Sequence, residues 1–363
     1  MVRRLFIAAT RQNEGKTTLA LGLILALKKR YANIGFIKPV GQRYVQEGAI
    51  KVDEDSILIE KACGMDCFLK DMSPIAVEKN FTREYLLHPD PQPFIKQIQE
   101  SFAKVAEGKD MVIIEGTGHA GVGSVFDLSN ATVAKILEAP VIIVSSGGIG
   151  RPIDEIALNQ SLFKEKDVPI IGAIINKILP EKLSMVKEFL ARGLSRLSLD
   201  FLGVIPLERY LSSPTMEQIV ADLKGEVING RAFLKHAAEK IVIGAMTPHS
   251  ALDYFAPGTL VITPGDREDI ILAALSLSMT KEDVKKAMAG IVLTGGIRPH
   301  RTIMELIKKT ELPVILVEED SYTAASKVHD LVIKLHPGDI AKIEKVKKLI
   351  EKHIDINKII SAC

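Results

Sequence analysis

The stretch IAATRQNEGKTTLALGL, residues 7–23, decides the fold. It has the spacing of a phosphate-binding loop, G-x-x-x-x-G-K-[ST], with Thr10 in place of the first glycine and Gly15, Lys16, Thr17 and Thr18 where the pattern wants them. An apolar run, residues 3–9, precedes the loop, and a periodic apolar stretch opens at Thr17, so strand, loop and helix are in register. In that setting the backbone N–H groups of residues 12–17 can point at phosphate oxygens, helped by the helix dipole. Lys16 would reach the β- and γ-phosphates, and the Thr17 hydroxyl would take a Mg²⁺ ligand position. The expected ATP contacts are thus Thr10, Arg11, Gln12, Asn13, Glu14, Gly15, Lys16, Thr17 and Thr18. The alternative is a strand-turn-helix whose G-K-T-T is accidental. Against it stands DMVIIEGTG, residues 110–118, which supplies Glu115 directly after an apolar run, with Gly116 and Gly118 letting the chain turn beside a phosphate. A loop of this kind needs such an acidic strand end to hold the metal, directly or through water.

Outward from the loop, short β-branched runs alternate with amphipathic stretches as far as DFLGVIP, residues 200–206. That alternation predicts βαβ units and a parallel sheet buried by helices on both faces. Ser212, Ser213 and Pro214 break the pattern, and a second series begins with EKIVIGAM, GTLVITPGD, AGIVLTGG and LPVILVEED. Two α/β domains are expected, over 1–213 and 214–363, the second folding on its own.

Of 363 residues, 47 are basic and 45 acidic, a net charge of +2, which argues against a nucleic-acid or membrane-surface partner. The apolar part of the opening MVRRLFIAAT is too short for a signal peptide and runs into the loop, and no apolar run reaches the roughly 18 residues of a membrane span. A soluble, cytoplasmic chain is expected. Its three cysteines, Cys63, Cys67 and Cys363, make no zinc framework and read as reduced thiols.

The pairing of T-x-x-x-E-G-K-T with a strand ending in E-G resembles dethiobiotin synthetase and cobyrinic acid a,c-diamide synthase, a group that also carries threonine at the Thr10 position. Arg11 falls where the related ParA/MinD ATPases carry a signature lysine. The resemblance implies that Lys38, in GFIKPVGQ, faces a substrate carboxylate and the transferred phosphoryl group, and that Asp55, in DEDSILI, holds metal. It implies that Asn176, in GAIINK, contacts adenine; Gly116, from its place after Glu115, is expected to border the nucleotide. Narrower still, EGTGHAGVGSVFDLSNA, GGIGRPIDE and ITPGDREDIILAAL…GIVLTGG are similar to the N-terminal part of long bacterial phosphotransacetylases and their stand-alone archaeal relatives. There a dethiobiotin-synthetase-like domain precedes a regulatory DRTGG domain, whose motifs appear here as Asp266-Arg267 and Thr294-Gly295-Gly296. The acetyltransferase catalytic domain has no counterpart in the sequence, so the chain is expected not to be a phosphate acetyltransferase.

The implied chemistry is Mg·ATP binding with γ-phosphoryl transfer to a carboxylate or carbamate, Lys16 and Lys38 being catalytic and Thr17, Asp55 and Glu115 holding the metal. The rival is a nucleotide-dependent regulatory module acting through the DRTGG domain; the small-molecule acceptor or effector stays open. Several residues keep two readings. Lys38 is otherwise a surface lysine, and Asp53 and Asp55 a helix cap. His119 is a loop histidine or a base. Arg151 is a phosphate contact or an exposed arginine. Asp266 reads as a helix N-cap at a strand-to-helix turn, and Arg267 with the turn at Thr294-Gly295-Gly296 as a small-anion site at the strand ends, a structural Asp-Arg clamp or a subunit interface. The implied interfaces and the frequency of two-fold assembly point to a homodimer.

Overall fold

The computed structural model of the chain describes residues 2–280, 288–331 and 334–363. It divides into two units, Met1–Glu208 joined by Leu335–Cys363, and Arg209–Lys334.

The first unit is built on a six-stranded sheet in the order Phe201–Pro206, Ile170–Ile178, Val141–Ser146, Arg3–Ala9, Met111–Glu115, Ile34–Ile37. Every pairing is parallel. Strand Met111–Glu115 is buried along its whole length, Glu115 included, which is why its sequence is a continuous apolar run and not an alternating one. The order reverses beside the central strand Arg3–Ala9, so the loop that follows it opens into the crevice at the carboxyl ends of the strands, where open α/β sheets bind ligands. A helix, Lys16–Leu27, continues from that loop.

The chain leaves this unit after Glu208, before the boundary expected near 214, and the second unit does not run to 363. Leu335–Cys363 returns to the first unit. The physical reason lies in two apolar surfaces. The returning helix, Ile340–His353, buries Ile343, Val346, Leu349 and Ile350, a stripe at helical spacing. The loop helix Lys16–Leu27 is apolar on almost every side and needs cover. They approach so closely that a Cβ at Gly22 would fall 2.2 Å from Ile350 Cγ1. Lys29 and Glu351 pair at 2.6 Å, and Asp355 N donates to Leu202 O at 2.9 Å along the outer edge of strand Phe201–Pro206. An exposed edge strand is thereby covered.

The second unit holds a five-stranded sheet in the order Glu226–Asn229, Val314–Leu316, Gly290–Thr294, Thr259–Pro264, Lys240–Ile243. Four strands are parallel; the first is antiparallel to its neighbour and was not expected. Its strands alternate between two cores, Val261, Ile291 and Val314 facing Ile270 and Ala274, and Leu260, Val292 and Ile315 facing Met216, Ile219 and Ala324. Among the described residues no helix is long and apolar enough to cross a membrane.

Candidate functional site

The loop of residues 10–15 is fixed at several points. Thr10, at the end of the central strand, is buried; its hydroxyl lies 2.9 Å from Ser145 Oγ and donates to Glu155 Oε2 at 2.9 Å. Arg11 pairs with the other oxygen of Glu155 at 2.7 Å, and so does Arg151, four residues before Glu155 on helix Gly150–Glu165. Burial pushes the Glu155 carboxyl up, but the hydrogen bonds from Arg151 and Thr10 outweigh it and hold the group below its ordinary value. Gln12 Nε2 donates to Gln42 Oε1 at 3.2 Å, which links the loop to the segment after Lys38. Asn13 has φ 61° and its carbonyl accepts from Lys177 Nζ at 2.6 Å. Gly15 caps the helix at φ 96°, and a Cβ there would fall 2.3 Å from Asn176 Nδ2. Only glycine fits that position.

Asn176 serves this loop. Its Nδ2 donates to Glu14 O at 2.9 Å, and its Oδ1 accepts from Lys177 N at 2.9 Å, so the amide expected to read adenine is engaged at both ends. Gly116 likewise has a packing reason: a Cβ would fall 2.7 Å from Phe6 Cε1 and 2.6 Å from Asn130 Oδ1. Thr18 sits half-buried on the first helical turn.

The metal-ligand candidates converge, along with a residue not counted among them. Thr17 Oγ1 donates to Glu115 Oε1 at 2.8 Å. Lys38 Nζ donates to Asp53 Oδ1 at 2.8 Å and to Asp55 Oδ2, and lies 3.8 Å from Glu115 Oε1. Lys16 Nζ donates to Gly118 O at 3.3 Å. Asp53 does cap helix Glu54–Cys63, accepting from Asp55 N at 3.0 Å, and it is also an ion-pair partner of Lys38. Hairpin Tyr44–Glu47 and Ile50–Asp53 brings the two aspartates back to the lysine fifteen and seventeen residues away.

Burial dominates the electrostatics. It lowers the Lys16 ammonium, against the pull of Glu115. It opposes charge on Lys38 too, but Glu115, Asp55 and Asp53 together raise that group above its ordinary value and keep it a cation. The Glu115 carboxyl is pushed up to about 7 by burial, although Lys38 draws it down.

The residues fit a divalent cation. Glu115 Oε2 and Asp53 Oδ2 are buried and have no hydrogen-bond partner, an arrangement that costs free energy unless a cation or donor completes it. Among the described residues no three histidine, cysteine or carboxylate side chains form a self-sufficient metal cage. Mg²⁺ suits such a site, since it commonly takes one or two carboxylates and leaves its remaining positions to phosphates and water.

Sequence reasoning missed Glu155 as the hub of Thr10, Arg11 and Arg151; the i, i+4 spacing of Arg151 and Glu155 was its one local signal. His119 does not join the acidic cluster: its Nδ1 accepts from Gly121 N at 3.2 Å. In the second unit Arg267 is a clamp. Its guanidinium pairs with Asp269 at 2.8 Å and donates to Gly244 O at 3.1 Å and Met246 O at 2.9 Å. Glu268 accepts from His300 N at 2.6 Å, while Thr294 Oγ1 lies 2.7 Å from Ser321 Oγ.

Residues 3–215 match the family described as AAA domain, and residues 218–331 match the DRTGG domain. The phosphate acetyltransferase of Nitratidesulfovibrio vulgaris is 28% identical over 372 residues, covering 99% of this chain and 51% of its own length. That of Pseudomonas aeruginosa is 29% identical over 378 residues, with 99% and 52% covered. The chain spans about half the length of the curated relatives it matches. The resemblance to the N-terminal part of long phosphotransacetylases holds. The expectation of a chain that is not a phosphate acetyltransferase is overturned, since proteins of that name align with nearly all of it. The solved MinC:MinD cell division protein complex of Aquifex aeolicus is similar with a TM-score of 0.37 and 18% identity, covering 58% of this chain and 84% of that one.

Proposed function

The chain belongs to the AAA-domain family over residues 3–215, and on that premise we propose that it binds Mg·ATP and serves as the nucleotide-responsive region of a phosphate-acetyltransferase-type protein. The observation that carries the reading is the unpartnered Glu115 Oε2, buried beside the Thr17 hydroxyl and near two lysines, at the carboxyl end of a strand next to the phosphate loop. Thr17, Glu115 and Asp55 would hold the metal. Bound there, Mg²⁺ would supply positive charge to the phosphate oxygens. Lys16, with the backbone of residues 12–17, would hold the phosphates, and Glu155 would keep Thr10 and Arg11 in register at the loop entrance. Acetyl transfer to phosphate comes from the names of the relatives, and the DRTGG domain would link it to nucleotide.

Calorimetry tests the core of this. ATP with Mg²⁺ should bind, and a folded Lys16→Ala variant should bind at least about 100-fold more weakly, the loss of a charge-assisted phosphate contact in a buried site. Equal affinity in the two proteins would overturn the proposal. A second reading is favoured by Lys38, whose cationic head stands at the carboxyl end of the sheet: γ-phosphoryl transfer to a carboxylate or carbamate. ATP turnover stimulated by an added carboxylate would distinguish it from regulation alone. The working unit is proposed to be a homodimer. Light scattering should give about 80 kDa, twice the chain mass of 39.7 kDa, and a mass of one chain with and without ATP would exclude it.

A further inference from the structure

We propose that Lys38 is a resident counter-cation that keeps divalent metal out of the acidic pocket until nucleotide arrives. The inference rests on the reading of Thr17, Asp55 and Glu115 as the metal site. It adds that the site is gated by a positive charge of its own.

The geometry is that of an occupied cation position. The Lys38 side chain is only 8% exposed, bonds Asp53 Oδ1 at 2.8 Å and Asp55 Oδ2, and stands 3.8 Å from Glu115 Oε1. Its backbone is pinned as well, since Lys38 N donates to Met72 O at 2.8 Å. One ammonium has three donors and cannot serve three carboxylates fully, and two buried oxygens, Asp53 Oδ2 and Glu115 Oε2, stay without a partner. The pocket therefore keeps acceptor capacity for a second cation. Its charge decides when that cation enters. Asp53, Asp55 and Glu115, when ionised, contribute three negative charges and Lys38 one positive, while Lys16 and the buried Glu14 beside it offset each other, leaving two negative charges to attract a dication. Without Lys38 there would be three. A hydrated Mg²⁺ gives up water reluctantly, so the field that Lys38 reduces holds it less well. A nucleotide supplies the missing negative charge and ligands together. Lysine suits the task because its compact charge rides on a flexible four-carbon stem, which can withdraw from Asp55 without moving the backbone.

The test is nucleotide-free binding of Mn²⁺, followed by electron paramagnetic resonance on the full chain. The wild type should hold Mn²⁺ weakly alone and tightly with ATP. Lys38→Gln keeps hydrogen-bond donors and removes the charge; its nucleotide-free affinity should rise by about 10- to 100-fold, the scale on which a charge at this distance changes carboxylate affinity for a cation. Lys38→Arg should stay as weak as the wild type. Lys38→Gln should also melt lower without metal and recover when Mn²⁺ is added. Affinity of Lys38→Gln within about twofold of the wild type would overturn the inference and leave the metal site standing. Should Lys38→Gln fail to fold in any condition, the wild type decides alone: Mn²⁺ binding without nucleotide at about 10 μM or tighter overturns the gate, and weaker binding supports it. A wild type that takes no Mn²⁺ even with ATP overturns the site reading, and the gate with it.

Discussion

The two units set charged motif residues at the same place, the carboxyl edge of a mainly parallel sheet, and treat them in opposite ways. In the first unit, Glu115 and Asp53 are each 1% exposed and each keeps an oxygen without a partner, while Lys16 and Lys38 are buried beside them. In the second, Arg267 is spent on Asp269 and on the carbonyls of Gly244 and Met246, and Glu268 on His300 N. Buried charge left incompletely paired is unfavourable in the folded chain and persists where something else completes it. Charge satisfied by backbone carbonyls at a half-exposed edge is a fastening. The same edge of a mainly parallel sheet thus carries incompletely paired buried charge in one unit and a structural clamp in the other.

The largest effect that would sharpen this contrast comes from removing the returning segment. A chain ending at residue 334 uncovers the loop helix and loses the burial of Ile343, Val346, Leu349 and Ile350. At about 1.5–3 kcal/mol for each apolar side chain, the loss is on the order of 6–12 kcal/mol, comparable to the whole stability of a domain. Thermal unfolding should show the first unit destabilised or unfolded and ATP binding gone. A truncated chain that melts like the full one would show that the two helices do not share a core.

Acidity offers a middle-sized test, because among the described residues only the first unit has a strongly shifted buried carboxyl at this edge. Glu115 is raised from 4.5 to about 7, chiefly by burial. A raised carboxyl stabilises the fold while protonated, so this contribution is complete below about pH 4.5 and is lost as pH climbs through 7. Metal binding runs the other way, since it needs the carboxylate. Mg·ATP affinity should rise between pH 6 and 7 by up to about tenfold, level off above that, and release protons. Calorimetry in buffers of different ionisation heat would count them. Glu115→Gln should abolish the release; proton release unchanged in that variant would assign the titration elsewhere.

The smallest effect concerns the clamp. Arg267→Ala should lower the melting of the second unit by about 1 kcal/mol of stability, since its partners are partly solvated, and should leave ATP affinity within about twofold. A tenfold change in ATP affinity would break the contrast, showing that the clamp reports to the nucleotide site.

Local chemistry was enough for much of this. The strands of the first unit, the glycine-lysine loop, the loop helix, Thr17 beside Glu115 and the break before the second unit all lie in short stretches whose spacing carries its own physical meaning. Lys38 and Asp55 came from the resemblance, and the structure brings them together. What no local pattern could give is which distant groups meet. Glu155 reaches Thr10 across 145 residues, Asn176 reaches Glu14 across 162, and the helix after residue 340 returns to one that begins at 16. An i, i+4 pair or an apolar stripe announces that a residue needs a partner, not which one. The same limit hid the unpartnered oxygens of Asp53 and Glu115. Whether a carboxylate is satisfied depends on every donor the fold places around it, and only tertiary packing decides that.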